Sequence, residues 1–187
     1  ISEAIVIAKK RKMFVSESFL VASAEDNKAV LIEKTPDNLD VYDPHKDFIV
    51  CTNHFQSKGL ANSKENIQQL NESASAYRYN RLMELLKANG RNTVQKTIAI
   101  LRNQKGLKNA DIGMGNEKAI NQLIAHHSIV FEPTKLLVWV STSPWQLGEY
   151  VAYDLKKVFA LRGMKQDQEI SEASLTVAAD SFLLTPA

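Results

Sequence analysis

The chain has 187 residues, 44% of them hydrophobic and 24% charged, a size and balance that fit one ordinary globular domain, or a large piece of one, with a real core. Its 23 basic and 21 acidic residues leave a net charge of +2, which argues against a phosphate backbone as the main partner. A single cysteine excludes an internal disulfide, and no apolar run approaches the roughly 20 residues a membrane-spanning helix needs.

Residues 2–12 carry Ala4, Ile5, Ile7 and Ala8 at helical spacing, with Ser2 as the expected N-cap. The basic cluster Lys9-Lys10-Arg11-Lys12 closes that helix, where cations complement the macrodipole; a solvated helix end accounts for it. Residues 14–24 favour a strand, the turn Glu25-Asp26-Asn27-Lys28 follows, and Ala29–Glu33 reads as the hairpin partner. A turn at Thr35-Pro36-Asp37-Asn38 leads into a short strand, Leu39–Tyr42. After Asp43-Pro44-His45-Lys46 the apolar run Phe48–Cys51 reads as a buried strand extending to Thr52, so four strands form an antiparallel meander.

Residues 56–70 are polar and are expected to form an exposed loop, irregular or weakly helical. The strongest helix spans 73–89, with Ser73 able to cap it, Leu82, Leu85 and Leu86 on one face, and Asn89-Gly90 as its stop. A second helix runs from Thr93 to about Gln104 with Val94, Thr97, Ile98 and Leu101 on one face. Past the turn Gly113-Met114-Gly115-Asn116, residues 119–131 end in an apolar stretch that turns through Glu132-Pro133-Thr134-Lys135 into Leu136–Ser141, a hairpin. Residues 149–160 suit strand or helix, and the tail after Arg162 is polar and then ambiguous. Strands, then helices, then strands predict an α+β domain, with helices packed on a largely antiparallel sheet. The chain starts at Ile1 and ends on a rather apolar stretch, so both ends read as cut and the compartment is left open.

The most site-like feature is the place where Phe48-Ile49-Val50-Cys51 gives way to Thr52-Asn53-His54-Phe55. Polar groups at such a point are either bonded by their surroundings or held for a ligand. A neutral amide at Asn53 can donate to a developing oxyanion without titrating; a turn-forming or capping asparagine is the plainer alternative. Cys51 fits a buried structural thiol, and three residues along a strand would set it on the opposite face from His54 unless the strand ends before His54. The adjacent His126 and His127 are expected on a strand with side chains to opposite faces, one of them packed and hydrogen-bonded, and their spacing is poor for zinc. Trp139 and Trp145 suit core and rim packing, or the aromatic wall of an acyl site. Arg78 and Arg81 are expected as solvated charges or partners of Glu84, with one of them partly covered. Residues 113–116 lack the strand-before, helix-after setting of a phosphate loop.

Several blocks together resemble the acyl-coenzyme A:6-aminopenicillanate (isopenicillin-N) acyltransferase family, relatives of choloylglycine hydrolase among the N-terminal-nucleophile (Ntn) hydrolases. They are Ser2–Ile5, Ala29–Pro36, Val50–Phe55, Ser75–Leu82, and the strand pair Ser128–Pro133 and Leu136–Ser141, covering about residues 1–145. The resemblance implies part of an αββα sandwich, and a family that cleaves or transfers acyl groups of amides or thioesters. It implies a cysteine nucleophile freed at a chain start by self-cleavage, whose α-amine can act as base. Asn53 matches the family's oxyanion-stabilising asparagine. His54, Phe55 and Trp139 are the accompanying candidates for substrate binding.

The departures define what to expect of this sequence. It begins with Ile1, so the nucleophile is absent, and Cys51 has no free α-amine with which to replace it. The early aspartate is missing, and Gly113–Asn116 stands where a Cys-Arg pair is often found. Residues 1–187 therefore read as a single partial domain, the C-terminal-side segment of an amidohydrolase or acyltransferase, inactive alone. Its expected partners are a small acyl-amide or acyl-thioester substrate and the rest of the parent chain, with no cofactor, metal, nucleic acid or membrane span. A non-catalytic binding or scaffolding domain on the same fold is the alternative, and a metal-dependent hydrolase using His54, His126 and His127 is a weaker third.

Overall fold

The segment Lys28–Lys34 (β2) is the centre of the first sheet in the computed structural model, which describes residues 1–160 and 169–184. Val30, Leu31, Ile32, Glu33 and Lys34 are all buried, so both faces of this strand are covered, since successive side chains point to opposite sides. Glu17–Ser23 (β1) and Leu39–Tyr42 (β3) pair with it antiparallel, with Phe19 opposite Ile32 and Ile32 opposite Val41. The expected meander is therefore present through its third strand. Local chemistry sets the second turn: Thr35 N donates to Asn38 O (2.8 Å), and Asn38 N donates to Thr35 Oγ1 (2.9 Å).

The helix Ser2–Lys9 (α1) is shorter than expected, and Ser2 lies inside it, the N-cap being Ile1 without a side-chain bond. A side chain from the sheet meets the end of this helix. Buried Lys34 donates from Nζ to the carbonyls of Ala8 and Arg11, which ties the helix end to β2.

The fourth strand does not form. Residues 48–51 join no ladder; Phe48 is exposed while Val50 is buried. A side chain takes the place of a strand partner, since Gln56 Nε2 donates to Val50 O (2.7 Å). The polar stretch 56–70 is also more ordered than its composition suggests. Ser57, Leu60 and Asn66 are buried, and Lys64–Glu72 (α2) is a helix whose N-cap Ser63 accepts the Asn66 amide (3.2 Å). Ser73 then links two helices, donating to Gln69 O (2.7 Å) and accepting the amide of Ser75 (3.2 Å) at the start of Ser75–Asn89 (α3). Gly90 follows α3 with φ +60, a left-handed conformation that glycine adopts without strain and that ends the helix.

The chain divides into two compact units, Ile1–Met83 and Glu84–Ala187. The second has its own antiparallel sheet of Ile129–Glu132 (β4), Leu137–Ser141 (β5) and Tyr150–Asp154 (β6), in that order. The predicted hairpin is β4–β5, and the ambiguous segment 149–160 is both things in turn, β6 and then the helix Leu155–Ala160 (α5). Val94–Leu101 (α4), capped by Thr93, ends before Gln104 and adds Ile98 to a core of Val130, Trp139, Tyr150 and Ala152. Arg102 lies 5.0 Å over the Tyr150 ring and donates to the carbonyls of Gly148 (2.6 Å) and Ala178 (2.9 Å). No strand includes His126 or His127; both are exposed, so neither is the packed histidine expected. Residues 161–168, which include Arg162 and the start of the polar tail after it, lie outside the described residues, as do 185–187. Helices and antiparallel sheets in this mixture make the α+β class the sequence predicted.

Candidate active site

The first unit carries a cleft of ≈ 450 Å³ between Ser16 with the start of β1 (Glu17, Ser18), the segment Cys51–Phe55, and the Glu65, Asn66 and Gln69 side of α2. Asn53, His54 and Phe55 all line it. A segment outside any sheet must be held in place by something else, and two buried polar side chains do this. Glu33, at 0% exposure on β2, accepts the Gln56 amide on Oε1 and the Ser57 amide on Oε2, each at 2.8 Å. Asn66 brackets Phe55, accepting its amide (2.7 Å) and donating to its carbonyl (3.1 Å), with a further bond to Ala61 O (2.8 Å). The backbone that follows Asn53 is thus fixed by charge-assisted and amide bonds that replace a ladder.

On the side facing α3, Thr52 Oγ1 donates to Ser75 O (3.1 Å) and lies 3.0 Å from both Ser75 Oγ and His54 Nδ1. Ser75 Oγ is also 2.8 Å from His54 Nδ1, and the imidazole meets the Tyr79 ring edge to face at 5.5 Å. Burial lowers the His54 pKa below its ordinary 6.5; the Arg78 charge acts in the same direction and the Glu33 carboxylate opposes it. His54 is accordingly a neutral, anchored ring at physiological pH.

The Asn53 side chain is exposed to the cleft. Its Oδ1 accepts from Arg78 Nη2 at 2.8 Å, and its Nδ2 has no protein partner among the described residues. The acceptor of this cleft-lining side chain is thus committed to the guanidinium, while its N–H donors stay unpaired among the described residues. Cys51 is a free, half-buried thiol that also lines the cleft, with Sγ 3.5 Å from Thr52 O. Burial pushes its pKa up, Glu33 adds to the rise, and a Ser18 bond opposes it, conditions that favour thiol over thiolate.

These features can be set beside known proteins. The family model for acyl-coenzyme A:6-aminopenicillanic acid acyl-transferase matches residues 1–142. The chain belongs to that family. Searches of curated proteins and of solved structures give no match. The acyl-transferase match takes in all of the first unit with its cleft, and runs through α4 and the β4–β5 hairpin of the second, stopping before β6. Membership of the acyl-transferase family points to acyltransferase or amidohydrolase chemistry.

The remaining candidates of this family member fall elsewhere. Trp139 sits in the core of the second unit at 4% exposure and donates its indole N–H to Leu175 O (2.9 Å), which makes it a packing residue rather than a wall open to ligand. Trp145 is 40% exposed. Of the two arginines, one of which was expected to be partly covered, Arg81 is 1% exposed, and Arg78 reaches the Asn53 amide. Among the described residues no three His, Cys, Asp or Glu side chains gather as a metal-binding group, and no helix is long and apolar enough to cross a membrane. Glu33 and Asn66 are the site-building residues that sequence reasoning missed, and Arg78, singled out as a surface charge, was not foreseen as the partner of Asn53. Only Asn66 carried a local signal, the Ser63-Lys64-Glu65 start of α2 just before it.

Proposed function

We propose that residues 1–187 supply the oxyanion-stabilising part of an Ntn-type acyltransferase or amidohydrolase, with the cysteine nucleophile contributed by a part of the parent protein outside this sequence. The observation that carries the proposal is the Asn53 amide, held by Arg78 through its oxygen and presenting its N–H donors to a cleft. A substrate amide or thioester would lay its carbonyl against those donors. Attack by the thiolate would place negative charge on the carbonyl oxygen, and a donor fixed in advance lowers that barrier by about 3 kcal/mol. Collapse of the tetrahedral species would expel the amine or thiol and leave an acyl-enzyme, which water or an acceptor amine then takes up.

In this proposal His54 and Phe55 contact the substrate, Cys51 is not the nucleophile, and Trp139 is left out because its indole is packed in a core. An αββα sandwich, self-cleavage that exposes the nucleophile, and kinship with choloylglycine hydrolase are parts of the same proposal. One feature favours the second reading, a binding domain that has lost the reaction: Gly113–Asn116 supplies no positive group where the resemblance expects a Cys-Arg pair. Treating the full-length parent with a chloromethyl ketone or penicillin-type electrophile and mapping the adduct separates the two. Stoichiometric labelling of a new N-terminal cysteine supports the enzyme. Absence of any labelled cysteine upstream of Ile1 supports the binding domain.

A further inference from the structure

We infer that Arg78 is a positioning residue that selects which end of the Asn53 side-chain amide faces the cleft. The inference deepens the oxyanion proposal and rests on it. An asparagine amide has nearly the same shape when its oxygen and nitrogen exchange places, so on an exposed side chain packing alone does not choose between them. The choice decides the chemistry. With Nδ2 toward the substrate the amide donates to an oxyanion; with Oδ1 there it repels one. A guanidinium carries donors only, so the atom 2.8 Å from Arg78 Nη2 has to be Oδ1, which leaves both Nδ2 hydrogens for the cleft.

The two side chains stand on elements that are tied together next to the contact. Arg78 is in the first turns of α3, where its amide donates to Ala74 O (3.0 Å). Three residues earlier Ser75, at 0% exposure, bonds Thr52 and His54 on either side of Asn53 in the sequence. The guanidinium is thus held at a set distance from the amide by the Thr52–Ser75–His54 cluster rather than by a flexible loop. A positive charge behind the carbonyl end also polarises the amide and strengthens its N–H as a donor. The same charge bears on His54, whose protonation it disfavours.

The test uses the full-length parent protein with selective ¹⁵N-asparagine labelling and the variants Arg78→Met and Arg78→Lys, with Asn53→Ala assigning the Asn53 side-chain signals. Arg78→Met should shift the Asn53 NH₂ pair toward the averaged positions of a freely rotating amide and raise the His54 titration midpoint. Arg78→Lys, which restores a donor-only cation, should recover both in part. Where turnover of an acyl-coenzyme A with 6-aminopenicillanic acid is measurable, Arg78→Met should lower kcat by on the order of tenfold with KM little changed, and by nothing further in the Asn53→Ala background. Unchanged Asn53 NH₂ signals in Arg78→Met overturn the inference, as does a kcat loss that adds in full to that of Asn53→Ala. An Asn53→Ala protein with normal kcat removes the oxyanion reading instead, and the NMR result still decides the positioning role.

Discussion

Replacing Glu33 by glutamine changes one atom and the charge of a residue that is 0% exposed, and the consequence can be worked out from its bonds. The carboxylate gives one oxygen to Gln56 N and the other to Ser57 N, both at 2.8 Å. Glutamine has a single oxygen, so its NH₂ must face one of these N–H groups, donor against donor. One charge-assisted bond is lost, at about 1.5–3 kcal/mol, and a buried N–H is left unsatisfied, at about 1–3 kcal/mol. Because a neutral amide is easier to bury than a carboxylate, part of that loss is offset. The net expectation is about 3 kcal/mol, more than a hundredfold in the folded-to-unfolded ratio. Urea denaturation of wild type and Glu33→Gln measures it, and hydrogen exchange should place the loosening at the amides of Gln56 and Ser57. A destabilisation below about 0.5 kcal/mol, with both amides as protected as before, would refute the claim that Glu33 fixes the backbone after Asn53.

Two further predictions concern titration. The His54 pKa is lowered on folding, so between its ordinary value near 6.5 and the lower folded value the unfolded chain binds more protons than the folded one. Stability from this group is complete above about pH 6.5 and is lost as the pH falls through the folded value; His54→Gln should flatten that part of the stability curve, which denaturation at a series of pH values will show. Cys51, with its thiol pKa raised by burial, should react with iodoacetamide at pH 8 several-fold more slowly than an exposed model thiol and regain ordinary reactivity in urea. Cys51→Ser should leave the parent's turnover within a factor of a few, which a nucleophilic Cys51 would not allow.

The parts of the fold that were legible in the sequence are those decided by neighbours. The β4–β5 hairpin announced itself as two apolar runs around Glu132-Pro133-Thr134-Lys135, and the turn after β2 through the hydroxyl and amide of Thr35 and Asn38. Asn53 was visible because an apolar run stops at a polar cluster. Phe48–Cys51 shows the limit of the same signal: the run is partly buried, but the carbonyl of Val50 meets a glutamine side chain instead of a strand, and periodicity does not report the partner. Glu33 read as an ordinary strand residue and Arg78 as a helix-surface charge because their partners lie 23 and 25 positions away in the chain. Pairings over such separations are properties of the packed state, with no trace in local composition. His126 and His127 show the converse, since histidines next to an apolar strand looked packed and are exposed.

The most direct measurement is turnover by the full-length parent with and without the Asn53 carboxamide. Removing its donors by Asn53→Ala should lower kcat by on the order of a hundredfold while folding and KM stay close to wild type, because the lost bond is strongest in the transition state. Asn53→Ala turnover equal to wild type would show that the amide facing the cleft takes no part in stabilising the oxyanion.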